Sequence, residues 1–428
     1  MKRFRGGLVF LALMLVLTCT ARLAHAAQEF KLFPSGVHQA NSNFGAAVGI
    51  SGNMAIVGAN AAANGGAAYV YRFDGSKWVE TQMLVPADNA PNGYFGYSVG
   101  ISGNYAIIGA PRFGDIGNGA AYIYFFDGKT WVEKQKLMTV DGAPNYSFGE
   151  AVAISGTNAI VGASYDSNVV EYGGSAYIYS LSGAVWNQAE KLVAPDTNEW
   201  GFFGIAVAIS GNHAIVGKRE DSIYDLAKET GSAYIFDFNG SHWLERQKVK
   251  ASDGYYADNY GFAVAISDNI ALVGAAYASA PGQCDNGDPY LCDFTQTMQG
   301  AVYLYALDGK FWHQRQILTA SDAEAGNFFG NALAISGNYA VIGSEGNQAG
   351  LYTSSSFGAA YIFQLSNGRA TEVDKLVAAG RTGGEILGTS VAISGGMVVA
   401  GAPGDIFNQS NTGTASVFKL DTDHCSKP

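Results

Sequence analysis

The stretch FGYSVGISGNYAIIGAP, Phe95 to Pro111, is one of seven near-copies in this chain. The others open at Phe44, Phe148, Phe203, Tyr260, Phe329 and Leu387, at intervals of 51 to 69 residues. Within the copy, FGYSVGIS alternates and reads as a strand. Gly103-Asn104 turns the chain, because both residue types tolerate the positive φ of a tight hairpin. YAIIGA (Tyr105 to Ala110) is a second, almost wholly apolar strand. A variable loop follows, then AAYIYFF (Ala120 to Phe126), an Asp127-Gly128 turn and WVEKQKLM (Trp131 to Met138). Each unit is thus a four-stranded antiparallel meander, A-B-C-D. Strands A and B read as buried on both faces. Strand D, carrying Lys134 and Lys136, reads as a charged outer edge that resists pairing with other chains.

Seven such sheets in series predict an all-β fold, a seven-bladed β-propeller of four-stranded blades. The last unit shows how the ring closes. It has LGTSVAIS, MVVAGA and TASVFKL (Thr414 to Leu420), and then no strand D. FKLFPSG (Phe30 to Gly36) aligns with the D strands QKLMTVDG and EKLVAPD, so the N-terminal strand is expected to complete the last blade. Residues 27–428 form one propeller in this reading.

The first 26 residues read as a signal peptide. Lys2, Arg3 and Arg5 precede the apolar run Leu8 to Leu17, and Ala24-His25-Ala26 offers the small residues of a cleavage site. The run is too short to span a bilayer comfortably, so no transmembrane anchor is expected. Thr18 is a poor neighbour for lipidation of Cys19. The expectation is a chain cleaved before Ala27 and secreted, to the periplasm or the cell surface. Its net charge is −11 and becomes more negative without the leader, which argues against nucleic-acid partners. Cys284 and Cys292 bracket DNGDPYL and are expected to form a disulfide in an oxidising compartment, leaving Cys425 over. A zinc site lacks a CxxC pair.

The seven copies resemble the FG-GAP repeat of integrin α-subunit propellers, and more closely a short bacterial-type version with an ISGN turn. The likeness covers essentially the whole chain after the leader. The Gly-Ala-Pro element is literal only at Gly109-Ala110-Pro111 and Gly401-Ala402-Pro403. Calcium-binding members carry a longer A–B loop rich in Asp and Asn. Here that turn is Ser-Gly-Asn, or Ser267-Asp268-Asn269 in the fifth unit, and one carboxylate cannot wrap a hard cation. No cofactor is expected. Asp285 and Asp288, between the paired cysteines, are the only local carboxylate cluster resembling a cation site, and they lack the remaining ligands.

Several motifs invite a catalytic reading and lose to a structural one. GYSVG (Gly96 to Gly100) matches a GxSxG nucleophile elbow, but the elbow needs a strand-to-helix turn and here the residues open a strand. The other units place Ala47, Ala151, Ala206, Ala263, Ala332 and Ser390 where Ser98 sits. His38, His213, His242, His313 and His424 share no spacing. Trp78, Trp131, Trp186, Trp243 and Trp312 recur at the start of strand D, with Thr371 near that place in unit six, and argue for packing between blades. Asp88, Asp141, Asp196, Asp253 and Asp322 recur after strand D and read as turn residues bonding their own backbone. No catalytic residue emerges; a glycosidase- or lyase-type pair of loop carboxylates would be the enzyme alternative.

Charge then separates the two faces of the disc. In an up-and-down blade the A–B and C–D turns emerge on one face, and the B–C and D–A loops on the other. The second, loop face gathers Asp115, Asp166, Glu171, Asp221, Asp225, Glu229, Asp293, Glu345 and Asp405. Against them stand Arg112, Lys218, Arg219, Lys228 and Arg381. Aromatics join the acids: Phe113, Tyr146, Tyr165, Tyr172, Trp200, Tyr224, Tyr256, Tyr290 and Tyr352. Variable loops on a rigid scaffold are where binding concentrates. The candidate ligand-binding set is therefore Phe113, Asp115, Asp166, Tyr172, Trp200, Asp221, Tyr224, Asp293, Glu345, Tyr352 and Asp405. In integrin-type propellers the corresponding face meets the ligand, which the resemblance extends to this one. A protein ligand is expected first, and a glycan second.

Overall fold

A computed structural model describes residues 28–35, 41–88, 93–112, 117–139, 147–219, 230–254, 258–279, 298–346, 357–380, 386–407 and 410–420. Seven four-stranded antiparallel sheets make up the fold, and no helix occurs among the described residues. Blade 1 runs A (Phe44–Ser51), B (Met54–Ala59), C (Ala67–Phe73) and D (Trp78–Leu84), each strand paired with the next. Blades 2 to 6 repeat this order. The A strands of successive blades lie against one another around the axis, and that of blade 7 (Ser390–Ser394) meets that of blade 1.

Blade 7 takes its outer strand from the other end of the chain, as the alignment of FKLFPSG predicts. Gln28–Leu32 pairs with Thr414–Lys419, with Phe30 opposite Val417 and Leu32 opposite Ala415. Leu32 is buried beside Val399, Val417 and the blade 1 residues Phe44 and Val57. The other six C–D pairs each carry a register shift, as between Ile123 and Tyr124; the joint made by the N-terminal strand has none.

The family-like glycines have a steric cause. A Cβ on Gly109, in the strand B Gly-Ala, would stand 2.0 Å from the carbonyl oxygen of Gly149 in the next blade. Gly149 itself sits at φ +94, and its Cβ would come within 2.3 Å of Ala120 O. The blades touch backbone to backbone here, so only glycine fits. Phe148 before it is fully buried and meets Tyr177 edge to face at 5.4 Å. The same contact recurs from Phe44–Tyr69 to Phe329–Tyr361. The apolar core is accordingly a set of clusters between neighbouring blades, each drawing strands B and C of one blade against the FG residues of the next.

Two expectations need correction. Strand A is not uniformly buried: Phe44–Ser51 and Ala263–Ser267 are largely so, but Ser98–Ser102 is half-buried along its whole length, because the innermost strands leave solvent access at the axis. In blade 6 the tryptophan column is filled by Ala370, not Thr371. Gln316 bonds the backbone N and O of Ala370, as Gln135 bonds those of Trp186 and Gln247 those of Trp312. The five tryptophans themselves are buried, and Tyr105 of blade 2 packs edge-on against Trp186 of blade 3.

Candidate functional site: the loop face and the axial mouth

Ser98 has a structural partner. Its hydroxyl donates to Gly149 O at 2.8 Å, and Ser390 does the same to Gly45 O at 2.9 Å, so both tie one blade to the next. The recurring aspartates also act between blades, a correction to their reading as self-bonded turn residues. Asp88, after strand D of blade 1, accepts from Tyr122 at 3.1 Å and pairs with Lys136 at 2.7 Å, both in blade 2. Asp196 does so with Tyr234 and Lys248, Asp322 with Tyr361 and Lys375, and Asp253 with Tyr303. Desolvation opposes ionisation of Asp196, but hydrogen bonds from Lys248 and Tyr234 outweigh it and hold the carboxyl at about 2. Each lysine also lies over its tyrosine ring, as Lys248 does at 5.2 Å from Tyr234.

Two members of the candidate ligand set belong to this same clasp. Asp166 is buried, accepts from Ser175 at 2.6 Å and pairs with Lys191 at 2.9 Å. Asp405 is buried, accepts from Thr414 at 2.7 Å and faces Lys31 of the N-terminal strand at 3.7 Å. In blades 3 and 7 the clasping carboxylate therefore comes from the B–C loop. Their side chains point into the blade. Trp200 is exposed, Tyr172 and Glu345 are partly so, and all three lie on the loop face. Phe113, Asp115, Asp221, Tyr224, Asp293 and Tyr352 lie outside the described residues, as do Cys284, Cys292, Cys425, Asp141, Asp285, Asp288 and the first 26 residues.

The structure adds a site that sequence reading passed over. The residue before each FG pair has a left-handed backbone: Asn43, Tyr94, Ser147, Phe202, Asn259, Phe328 and Ile386, with φ between 46 and 58. Its carbonyl accepts from the backbone N of the residue after the glycine: Ala46, Tyr97, Glu150, Ile205, Phe262, Asn331 or Thr389. This turn opens strand A on the loop face, so it sets one side chain per blade around the mouth of the axis. The residue just after strand B completes the rim: Ser164 in blade 3, Arg219 in blade 4 and Glu345 in blade 6.

Chemistry gathers on one arc of that rim. Glu150 accepts from Ser164 Oγ, and burial pushes its carboxyl above the ordinary range against the opposing charge of Arg219. Burial likewise raises Glu345, which is bonded to Thr389. Tyr277 stands between the two charges, its phenol raised by burial and by Glu345 and lowered by Arg219. Tyr97 (40% exposed) adjoins Glu150, and Arg112 lies over Tyr94 at 4.7 Å. Blades 2 to 6 thus present two half-buried acids, a guanidinium and tyrosines, Tyr97 and Glu150 from the position after FG and Arg219, Tyr277 and Glu345 from just after strand B, an arrangement suited to holding a polar group by several hydrogen bonds at once.

The model of the FG-GAP repeat matches residues 27–71, 78–124, 131–179, 186–236, 243–292, 312–363 and 370–418. The chain belongs to the FG-GAP repeat family. No curated protein matches it. Six of the seven matched units begin on strand D and end on strand C, and the fifth stops at residue 292 before its strand C, so a unit straddles two blades and gives its first strand to the preceding one. Among the described residues of this FG-GAP propeller, no three His, Cys, Asp or Glu side chains gather as metal ligands, and no helix is long and apolar enough to cross a membrane.

Proposed function

We propose that this FG-GAP propeller is an exported binding protein that holds a protein partner on its loop face, centred on the axial mouth. The carrying observation is the arc Tyr97–Glu150–Arg219–Tyr277–Glu345, drawn from five successive blades on the face where the loops differ. The repeat scaffold supports the reading, since FG-GAP propellers serve generally in protein interaction. The acidic loops add long-range attraction for a basic partner. Catalysis has no place in the proposal, and export rests on cleavage of the leader before Ala27.

The test is capture of partners from the native extracellular fraction by the mature chain and by the double variant Tyr97→Ala/Glu345→Gln. Wild type should retain a partner that the variant loses at least tenfold, and capture should weaken as salt rises. Equal capture by both proteins refutes the axial mouth as the site. Turnover of any substrate abolished by one loop Asp→Asn change overturns the non-catalytic reading.

A further inference from the structure

Beside the axial mouth, blades 3 and 4 carry a four-ring aromatic cluster; at the joint of blades 5 and 6 its base recurs, Tyr277 meeting Phe328 at 5.2 Å as Tyr165 meets Phe202, but without the outer pair among the described residues. The B–C loop of blade 3 supplies Tyr165 and Tyr172; the connection from blade 3 to blade 4 supplies Trp200 and Phe202. Tyr172 meets Trp200 at 4.5 Å and 62°, and lies parallel to Phe202 at 6.3 Å and 8°. Tyr165 closes the base against Tyr172 and Phe202. The two loops are bonded to each other: Trp200 N donates to Glu171 O at 2.8 Å, and Phe202 N to Tyr172 O at 3.0 Å. Ser167 Oγ accepts from Tyr172 N at 2.9 Å.

Two features set this cluster apart from ordinary core. Tyr172 and Trp200 both hold left-handed backbone angles, φ 51 and 63, which bulky side chains rarely adopt. The same left-handed turn recurs at equivalent places, but on Asn64 and Gly117 in place of Tyr172 and on Asn41 and Gly326 in place of Trp200; among the described residues only this joint puts large aromatic side chains there. Strain of this kind persists where the surroundings enforce it, and it concentrates at ligand sites. Secondly, Trp200 is 37% exposed, whereas the other five tryptophans are buried. A locked backbone therefore holds an indole at the surface with a tyrosine ring as a wall beside it.

We propose that the Tyr172–Trp200 corner is a carbohydrate subsite, binding the pyranose ring of a neutral sugar. The C–H face of a pyranose packs on an indole, and the Tyr172 ring set at 62° to Trp200 would border its edge. Exposed Glu171 and Glu199, neighbours of the two rings in the chain, offer acceptors for hydroxyl donors. Charge selects against acidic sugars. Arg219 is engaged over Phe202 at 4.8 Å, and Lys218 is fully buried with its amino group on Asp196 O. The cations of the adjoining strand thus support the cluster from within. The subsite adjoins the axial mouth and shares Arg219 with it through Phe202, and its test acts on Tyr172 and Trp200, which the protein-binding reading does not use.

The experiment is a screen of the mature chain against immobilised neutral and acidic oligosaccharides, followed by tryptophan fluorescence titration with the best neutral binder. Trp200 is the one tryptophan a solute can reach, so its emission reports the corner directly. Expected are saturable binding of at least one neutral oligosaccharide, a shift in emission, and at least tenfold weaker binding in Trp200→Ala and Tyr172→Ala. Tm should stay within a few degrees of wild type. Glu171→Gln and Glu199→Gln should weaken binding severalfold, reporting the acceptors separately from the rings. No saturable neutral glycan, or binding unchanged in Trp200→Ala, overturns the proposal. If Trp200→Ala instead abolishes protein capture with no sugar bound, the corner belongs to the protein interface and the proposal also fails.

Discussion

The two faces of the disc obey opposite rules. On the turn face, the serine that ends strand A bonds the backbone of the next blade's turn in five of the seven blades: Ser51 Oγ accepts from Gly103 N, Ser102 from Gly156 N, Ser155 from Gly211 N, Ser210 from Asp268 N and Ser394 from Gly52 N. One short motif, copied around the axis, forms a belt of like hydrogen bonds. On the loop face the equivalent columns hold unlike residues, and half-buried acids such as Glu150 are raised above their ordinary range. Uniform positions serve the ring; unlike positions cost it something and are retained for another purpose. Stability and binding should therefore separate by face.

The sharpest break is at the backbone contacts that join blades. Gly109→Val sets a side chain 2.0 Å from Gly149 O, with backbone on both sides unable to yield. We expect a loss above ~3 kcal/mol, read as failure to fold or a collapsed denaturant midpoint. Next comes removal of residues up to Asn43. It strips Leu32 and the outer strand from blade 7 and exposes a strand edge, which should cost about 3–5 kcal/mol and promote aggregation. Full stability of that truncated chain would refute the closure.

The Asp–Tyr–Lys clasps should matter less. The depressed Asp196 contributes stability above the ordinary carboxylate range and loses it as pH falls from about 4 toward 2. Because this carboxylate is half exposed, Asp196→Asn should cost under ~1 kcal/mol at neutral pH and flatten that acid limb. Ser51→Ala removes one exposed belt bond, worth about 0.5–1 kcal/mol by denaturant titration. Glu150→Gln should run the other way. A raised acid opposes folding once ionised, so the neutral amide should match or slightly exceed wild type at pH 7 while weakening partner capture. A destabilised Glu150→Gln would place that residue with the ring instead.

The repeat makes the blades legible before any coordinates, because FG, ISGN and the apolar B strand each recur wherever the same backbone contact must be met. The closing strand is legible for the same reason. Less visible is anything carried by a side chain reaching across a joint. Asp88 looks like a turn residue because its partners, Tyr122 and Lys136, are 34 and 48 residues away. The axial arc was within reach of a column-by-column comparison. The position after each FG reads Ala, Tyr, Glu, Ile, Phe, Asn and Thr between nearly constant neighbours, and that variation is its signal. Asp166 and Asp405 misled for the converse reason. Acidity on a loop marks a surface only if the side chain points outward, and serine, threonine and lysine partners turn these two inward.

The hydrogen bond from Ser416 to Glu29 joins residues 387 apart. In order of synthesis, the strand made first is the one that pairs last. Until Thr414–Lys419 exists, Gln28–Leu32 has no sheet to enter, and blades 1 to 6 must stand as an open arc. Completion of this ring is a matter of timing as well as energy. Its slowest step should be the meeting of the chain's two ends, and a nascent or interrupted chain should stay vulnerable at both free edges until that moment.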